Sequence, residues 1–222
     1  MRRTLDNELD SLNQQLTAMG QLCEDAIREA TQSLRDGDQE QARKVIAADA
    51  GIDQAEKDIE RLCLKLLLQQ QPVARDLRQI SAALKMITDM ERIGDQASDI
   101  AEIILSMPLS DIGPIPMIIR MSEEASKMVK DSVDAYVRRD LELAGRVEAH
   151  DDIVDNLFDE IREKIIQEIT ADPDKVGAKA IDLVMVAKYL ERIADHATNI
   201  AEWVVYSITG VHESEIDTKK LS

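Results

Sequence analysis

The sequence predicts an all-α fold of two tandem antiparallel three-helix bundles, six long helices in total, that are related by an internal repeat. Residues 91–102, ERIGDQASDIAE, return at residues 191–202 as ERIADHATNIAE, with eight of the twelve positions identical. The chain has only eight glycines and five prolines in 222 residues, and its composition favours helix. Apolar residues recur every three or four positions along most of the chain, which is the helical period.

The first bundle is predicted at residues 1–107. Its first helix carries a heptad-like apolar series and should end at the turn around Gly37. A second helix follows, with apolar residues from Ile52 to Leu66, and Pro72 is expected to open the third helix. The third helix contains the repeated segment and should end near Leu105. Each helix would run to about 30 residues, or roughly 45 Å.

The second bundle is predicted at residues 114–210. Residues 106–116, SMPLSDIGPIP, hold three of the five prolines and predict a linker at 108–113. Beyond it the acids and apolar residues of the second helix recur 102 positions later, so that Asp49 corresponds to Asp151. Pro173 is expected to open the sixth helix, and residues 211–222 are expected to form a flexible tail.

Charge and composition exclude several classes of function. With 27 basic and 44 acidic residues the formal charge is −17, which argues against binding to nucleic acid. No stretch of about 18 uncharged apolar residues occurs, so insertion into a membrane is not expected and the cytoplasm is the predicted location. Cys23 and Cys63 are interpreted as a reduced structural pair, with a disulfide as the alternative.

Acidic residues recur on one side of four of the predicted helices. At about 100° per residue, Glu91, Asp95 and Asp99 fall within roughly 80° of one another on the third helix. The apolar series expected in the core of that helix begins at Leu77, and Glu91 takes the next place after its last member, so a carboxylate reaches the edge of the packed face. Carboxylate oxygens from two neighbouring helices are typical ligands of hard cations, and we therefore interpret the repeated acids as metal-site candidates.

Two other interpretations of the acids stay open at this point. A solvated acidic face, with Arg92 and Arg192 paired to acids on their own helices, is the simplest. A di-iron enzyme would need Glu-x-x-His pairs, and none of His150, His196 and His212 follows a glutamate by three positions. Phosphate-binding glycine loops, nucleophile elbows and zinc-type cysteine pairs do not occur in the sequence.

The repeated segment also carries a family resemblance. Two three-helix halves, each with an acidic (E/D)xxxD on the second helix and ERIxD-x-A-x-x-I-A-E on the third, resemble the PhoU family from about Leu5 to Gly210. The resemblance implies a cytoplasmic, commonly dimeric, non-enzymatic protein that binds metal ions through these acids. It also implies a regulator of phosphate uptake that links the phosphate ABC transporter to a membrane sensor histidine kinase and represses the phosphate-starvation response.

The resemblance places a metal site in each bundle, and the identity of the ion is left open among Mg, Mn, Zn and Fe. The candidate residues of the first bundle are Asp49, Asp53, Glu91 and Asp95, with Asp99 as an outer member. Those of the second bundle are Asp151, Asp155, Glu191 and Asp195, with Asn199 as an outer member. Since Asn199 carries no charge, weaker binding is predicted there. The alternatives are a carboxylate-bridged metalloenzyme resembling a phosphohydrolase, and a helical scaffold without metal.

Overall fold

The computed structural model describes residues 2–69, 72–107 and 113–211, and within them it confirms the predicted fold class. The described helices are α1 (Arg2–Asp36), α2 (Gln39–Gln69), α3 (Ala74–Ser106), α4 (Ile115–Arg138), α5 (Leu141–Ala171) and α6 (Pro173–Thr209). Residues 108–112 of the predicted linker and 212–222 of the predicted tail lie outside the described residues. None of the described helices is long and apolar enough to cross a lipid bilayer.

The ends of α1 and α2 follow from local chemistry. The buried face of α1 holds the predicted apolar series, including Leu12, Leu16 and Met19, all fully buried. Gly37 ends the helix in a left-handed conformation with φ 67°, which glycine adopts without steric cost. The Asp38 carboxylate then accepts hydrogen bonds from the first backbone N–H groups of α2.

The third helix departs from the prediction at its start and in its core face. It begins at Ala74 rather than Pro72, because Val73 lies in extended backbone with φ −79° and ψ 168°. Leu77, expected in the core, is 48% exposed. The helix packs against α1, α2 and α6 at once, so its buried face is wider than one seam of apolar residues. That face is filled by Ile80, Ala83, Met86, Met90, Ile93, Ala97, Ile100 and Ile104.

The two bundles pack side by side through α1 against α4 and α3 against α6, which leaves α2 and α5 outermost. Both central pairs run antiparallel. In the first pair Ser122 of α4 donates to Thr31 at the end of α1, whereas Gly20, earlier in α1, faces Val133 near the end of α4. The halves are therefore related by an approximate two-fold axis between the bundles. Both cysteines are buried free thiols, so the disulfide alternative is not formed.

Candidate metal centres

The first acidic cluster lies where α2 and α3 pack tightly against each other at Gly94. Glycine at position 94 makes this approach possible, since a Cβ there would lie 2.8 Å from Ile52 Cδ1 and 2.9 Å from Asp49 Oδ1. Asp49 and Asp53 come from α2, and Glu91 and Asp95 come from α3, all within about one turn of the contact. Packing of a glycine against α2 therefore brings the four predicted acids to one groove.

These carboxylates repel one another across the groove. Burial raises the pKa of Asp49 above its usual value, and the charges of Asp95 and Asp53 raise it further. The pKa of Glu91 is raised by burial and then by Asp95 and Glu56, and that of Asp95 by burial and then by Asp53. Each shift disfavours the charged form, so a cation placed between the helices would relieve the repulsion.

The second cluster repeats this arrangement between α5 and α6. Burial raises the pKa of Asp151 to about 6, with further contributions from Asp155 and Asp195. Asp155 and Asp195 also have raised pKa values, in each case through burial first and Glu191 second. All four acids predicted for the second bundle therefore act on one another electrostatically.

A lysine distinguishes the second cluster from the first. Lys188 forms an ion pair with Glu191 one turn along α6, and its ammonium lies 5.4 Å from the centre of the Phe158 ring. The corresponding residues of the first half are Thr88 and Glu56, so the first cluster has an additional acid where the second has an aromatic ring. The second cluster is therefore less negative and already holds a cationic side chain.

The two outer residues lie at the seam between the bundles. Burial raises the pKa of Asp99, which a hydrogen bond from the Tyr189 hydroxyl partly offsets. At the position related by the two-fold axis, Asn199 Nδ2 donates to Asp89 Oδ1 at 3.3 Å, and His196 Nδ1 lies 2.9 Å from the same oxygen. Asp89 stands there in place of Tyr189. An amide at position 199 can donate a hydrogen bond to the Asp89 carboxylate, whereas a carboxylate at position 199 would repel it. The identity of Asn199 is thus explained by the bundle interface.

The donor atoms of both clusters are of the kind that binds a hard cation, but their positions do not form a complete coordination sphere. All the predicted ligands except Asn199 are carboxylates, and α2 and α3 approach so closely at Gly94 that an added Cβ would lie 2.9 Å from Asp49 Oδ1. Within the described ranges, however, no three His, Cys, Asp or Glu side chains come together closely enough to hold a metal ion. The structure thus brings the acids to common grooves without forming a complete ligand set.

Three residues that act on the clusters were not among the predicted site residues. Glu56 lies on the same side of α2 as Asp49 and Asp53 and raises the pKa of Glu91. Its position on the helix could therefore have identified it as a member of the cluster. Tyr189 and Lys188 differ from their repeat counterparts, Asp89 and Thr88, and such differences mark positions where the two halves diverge.

These features define a duplicated helical-bundle protein with paired acidic helices in each half. The sequence matches the PhoU domain over residues 16–104 and again over residues 118–204. The chain belongs to the PhoU family, and the predicted resemblance is confirmed.

Relatives match along nearly the whole chain. A phosphate-specific transport system accessory protein PhoU homologue of Clostridium acetobutylicum is 38% identical over 213 residues, covering 94% of this chain and 96% of the relative. The crystal structure of PhoU from Pseudomonas aeruginosa superposes with a TM-score of 0.86 at 33% identity, covering 93% of this chain and 99% of that one. The phosphate transport system regulatory protein PhoU from Streptococcus pneumoniae gives the same TM-score at 27% identity, covering 94% and 98%.

Proposed function

We propose that this chain is a non-enzymatic regulator of phosphate uptake that works in the cytoplasm as an adaptor. It contacts the phosphate ABC transporter and a membrane sensor histidine kinase, and it represses the phosphate-starvation response when phosphate is plentiful. The observation that carries this proposal is the match of both halves to the PhoU domain. Relatives with that domain are named accessory proteins of the phosphate-specific transport system. A homodimer is part of the proposal.

We also propose that each acidic groove takes up a carboxylate-bound metal ion. Asp49, Asp53, Glu91 and Asp95 would hold the ion of the first bundle after rotation of their side chains toward a common point. The ion would supply positive charge that offsets the repulsion between α2 and α3 and so fixes their spacing. Mg, Mn, Zn and Fe remain the candidates. A metal-dependent phosphohydrolase is the competing function, and a hydrolase screen with and without chelator separates the two.

Deletion of the gene tests the regulatory role directly. We expect a deletion strain grown in high phosphate to express alkaline phosphatase at the level that the parent reaches only in phosphate starvation. Expression of the full chain from a plasmid should restore repression, which controls for effects on neighbouring genes. Alkaline phosphatase that stays repressed in the deletion strain would contradict the proposal.

The two metal sites should differ in affinity. The first cluster has Glu56 and Asp99, where the second has Phe158 and Asn199. In the second cluster Lys188 would also compete with a cation for Glu191. We therefore expect calorimetric titration with Mn²⁺ to resolve a tighter and a weaker step, separated by about tenfold or more in affinity.

Matched substitutions assign those two steps. Glu91→Ala should remove the tighter step and leave the weaker one, whereas Glu191→Ala should do the reverse. Each variant removes one carboxylate at the same place in its half of the repeat, so each is the control for the other. A tighter step that disappears with Glu191→Ala would refute the predicted order.

A further inference from the structure

A cluster of arginines lies away from the acidic grooves, where the start of α3 meets the end of α4. Arg75 and Arg78 belong to the first two turns of α3, and Arg139 is the residue that follows α4. The two helix ends are fastened together by the buried Tyr136 hydroxyl, which donates to the Gln79 carbonyl oxygen at 2.7 Å. This contact brings guanidinium groups from distant parts of the sequence to one corner.

The cluster has more positive charge than its surroundings neutralise. Burial lowers the pKa of Arg139 below its usual value, and the charges of Arg75 and Arg78 lower it further. The buried carboxylate of Asp76, in the first turn of α3, acts in the opposite direction but is a single negative charge against three guanidinium groups. Arg78 Nε is buried without a hydrogen-bond acceptor among the described residues. Several arginines elsewhere are paired with acids, and those at positions 61, 138 and 162 each lie 3.0 Å from an aspartate oxygen. The corner is therefore electropositive in a chain with a net charge of −17.

The backbone adds donors at the same place. Val73 precedes α3 and makes no side-chain cap, so the first N–H groups of the helix receive no acceptor from it. The positive end of the α3 dipole points in the same direction as these groups. Backbone donors at a helix start, together with arginines, are a recurrent means of binding oxyanions.

The other half of the repeat keeps a basic residue at only one of the three positions, Lys175 in place of Arg75. Gly37 occupies the place of Arg139, and both residues are left-handed, with φ 67° and 56°. Arg139 is the sole residue other than glycine with positive φ among those described. The position of Arg78 is occupied in the second half by Ala178. The chain thus keeps an arginine where the backbone favours glycine, and such strain is commonly retained at binding sites.

We propose that this corner is a binding site for a phosphate-class oxyanion, held by Arg75, Arg78 and Arg139 and by the N–H groups at the start of α3. The oxyanion would give Arg78 Nε an acceptor and would offset the charge of three guanidinium groups. Inorganic phosphate and the headgroup of an anionic phospholipid offer the same chemistry. The proposal goes beyond the regulatory function above and does not depend on the metal sites.

Calorimetric titration of the full chain with inorganic phosphate, at constant ionic strength, tests the site. Arg139→Gly restores the residue that the other half uses and relieves the strained backbone, so it should weaken binding without unfolding the protein. Arg78→Gln removes the charge of another guanidinium group of the cluster. We expect each of these to weaken binding by about tenfold or more. The matched control is Arg138→Gln, which removes the same charge next to Arg139 from a side chain already paired with Asp134.

A second arm separates the two sources of phosphate. Cosedimentation is measured with vesicles of neutral lipid, with and without phosphatidic acid, for the same four proteins. Binding to free phosphate that is lost in the Arg78 and Arg139 variants identifies a soluble ligand, whereas the same pattern with vesicles alone identifies a lipid headgroup. Either result supports the site. The proposal is overturned if the original chain binds neither, or if all three variants behave alike in both arms.

Discussion

Replacing Gly94 by valine should lower the free energy of unfolding by about 3 kcal/mol, the upper part of the range for overpacking. The first atom of any side chain there would meet Ile52 Cδ1 at 2.8 Å, Asp49 Oδ1 at 2.9 Å and Ile52 Cγ2 at 3.1 Å. The Cγ2 atom is close to the backbone and cannot move away by a rotation about the end of the side chain. Helix α2 must therefore shift outward, which moves Asp49 away from the acids of α3.

A glycine on α2 gives the matched control. A Cβ at Gly51 would have no neighbour within 4 Å, so Gly51→Val should change stability by no more than about 0.5 kcal/mol through helix propensity. Chemical denaturation followed by circular dichroism measures both variants. Gly94→Val should also remove the tighter step of the Mn²⁺ titration, which Gly51→Val should leave in place. Equal stability of the two variants would show that α2 and α3 are not in close contact at this point.

The fold could be predicted from the sequence because each half needs only one apolar face on each helix. Spacings of three and four residues define that face, and the repeat at residues 91–102 and 191–202 shows that it occurs twice. The packing of one bundle on the other could not be predicted in the same way. Helix α3 is buried against three neighbours, so its apolar residues do not mark a single direction, and Leu77 was assigned to the core although it is exposed.

The candidate site was predictable to the same depth. Periodicity on one helix shows which acids share a side, and it placed Glu91 and Asp95 together on α3, where the structure brings both close to acids of α2. It does not show what stands opposite on another helix. The partner of Asp99 is Tyr189 and that of Asn199 is Asp89, and both contacts depend on the antiparallel pairing of α3 with α6. The arginine corner likewise depends on a contact between helix ends far apart in sequence.

Lowering the pH from about 7.5 to about 5 should stabilise the protein when metal has been removed by chelation. The carboxyl of Asp151 has a pKa of about 6 in the folded protein, against an ordinary value of 3.8. The folded state therefore binds this proton more tightly than the unfolded state does. The resulting stabilisation is fully present below the ordinary value and is lost as the pH rises through about 6. Asp49, Glu91 and Asp95 have pKa values shifted in the same direction and add to the effect.

Asp151→Asn separates this effect from the general charge of the chain. The variant removes the carboxylate that is repelled at neutral pH, so it should stabilise the chelated protein at about pH 7.5 by about 1 kcal/mol, after allowance for partial exposure. The control is Asp10→Asn, which removes the same charge from an exposed aspartate on α1, away from the cluster. Because a cation replaces the protons, added Mn²⁺ should stabilise the original chain at about pH 7.5 and lose its effect near pH 5. Denaturation curves across this range measure all three, and equal shifts in the two variants would show that Asp151 is not under electrostatic strain.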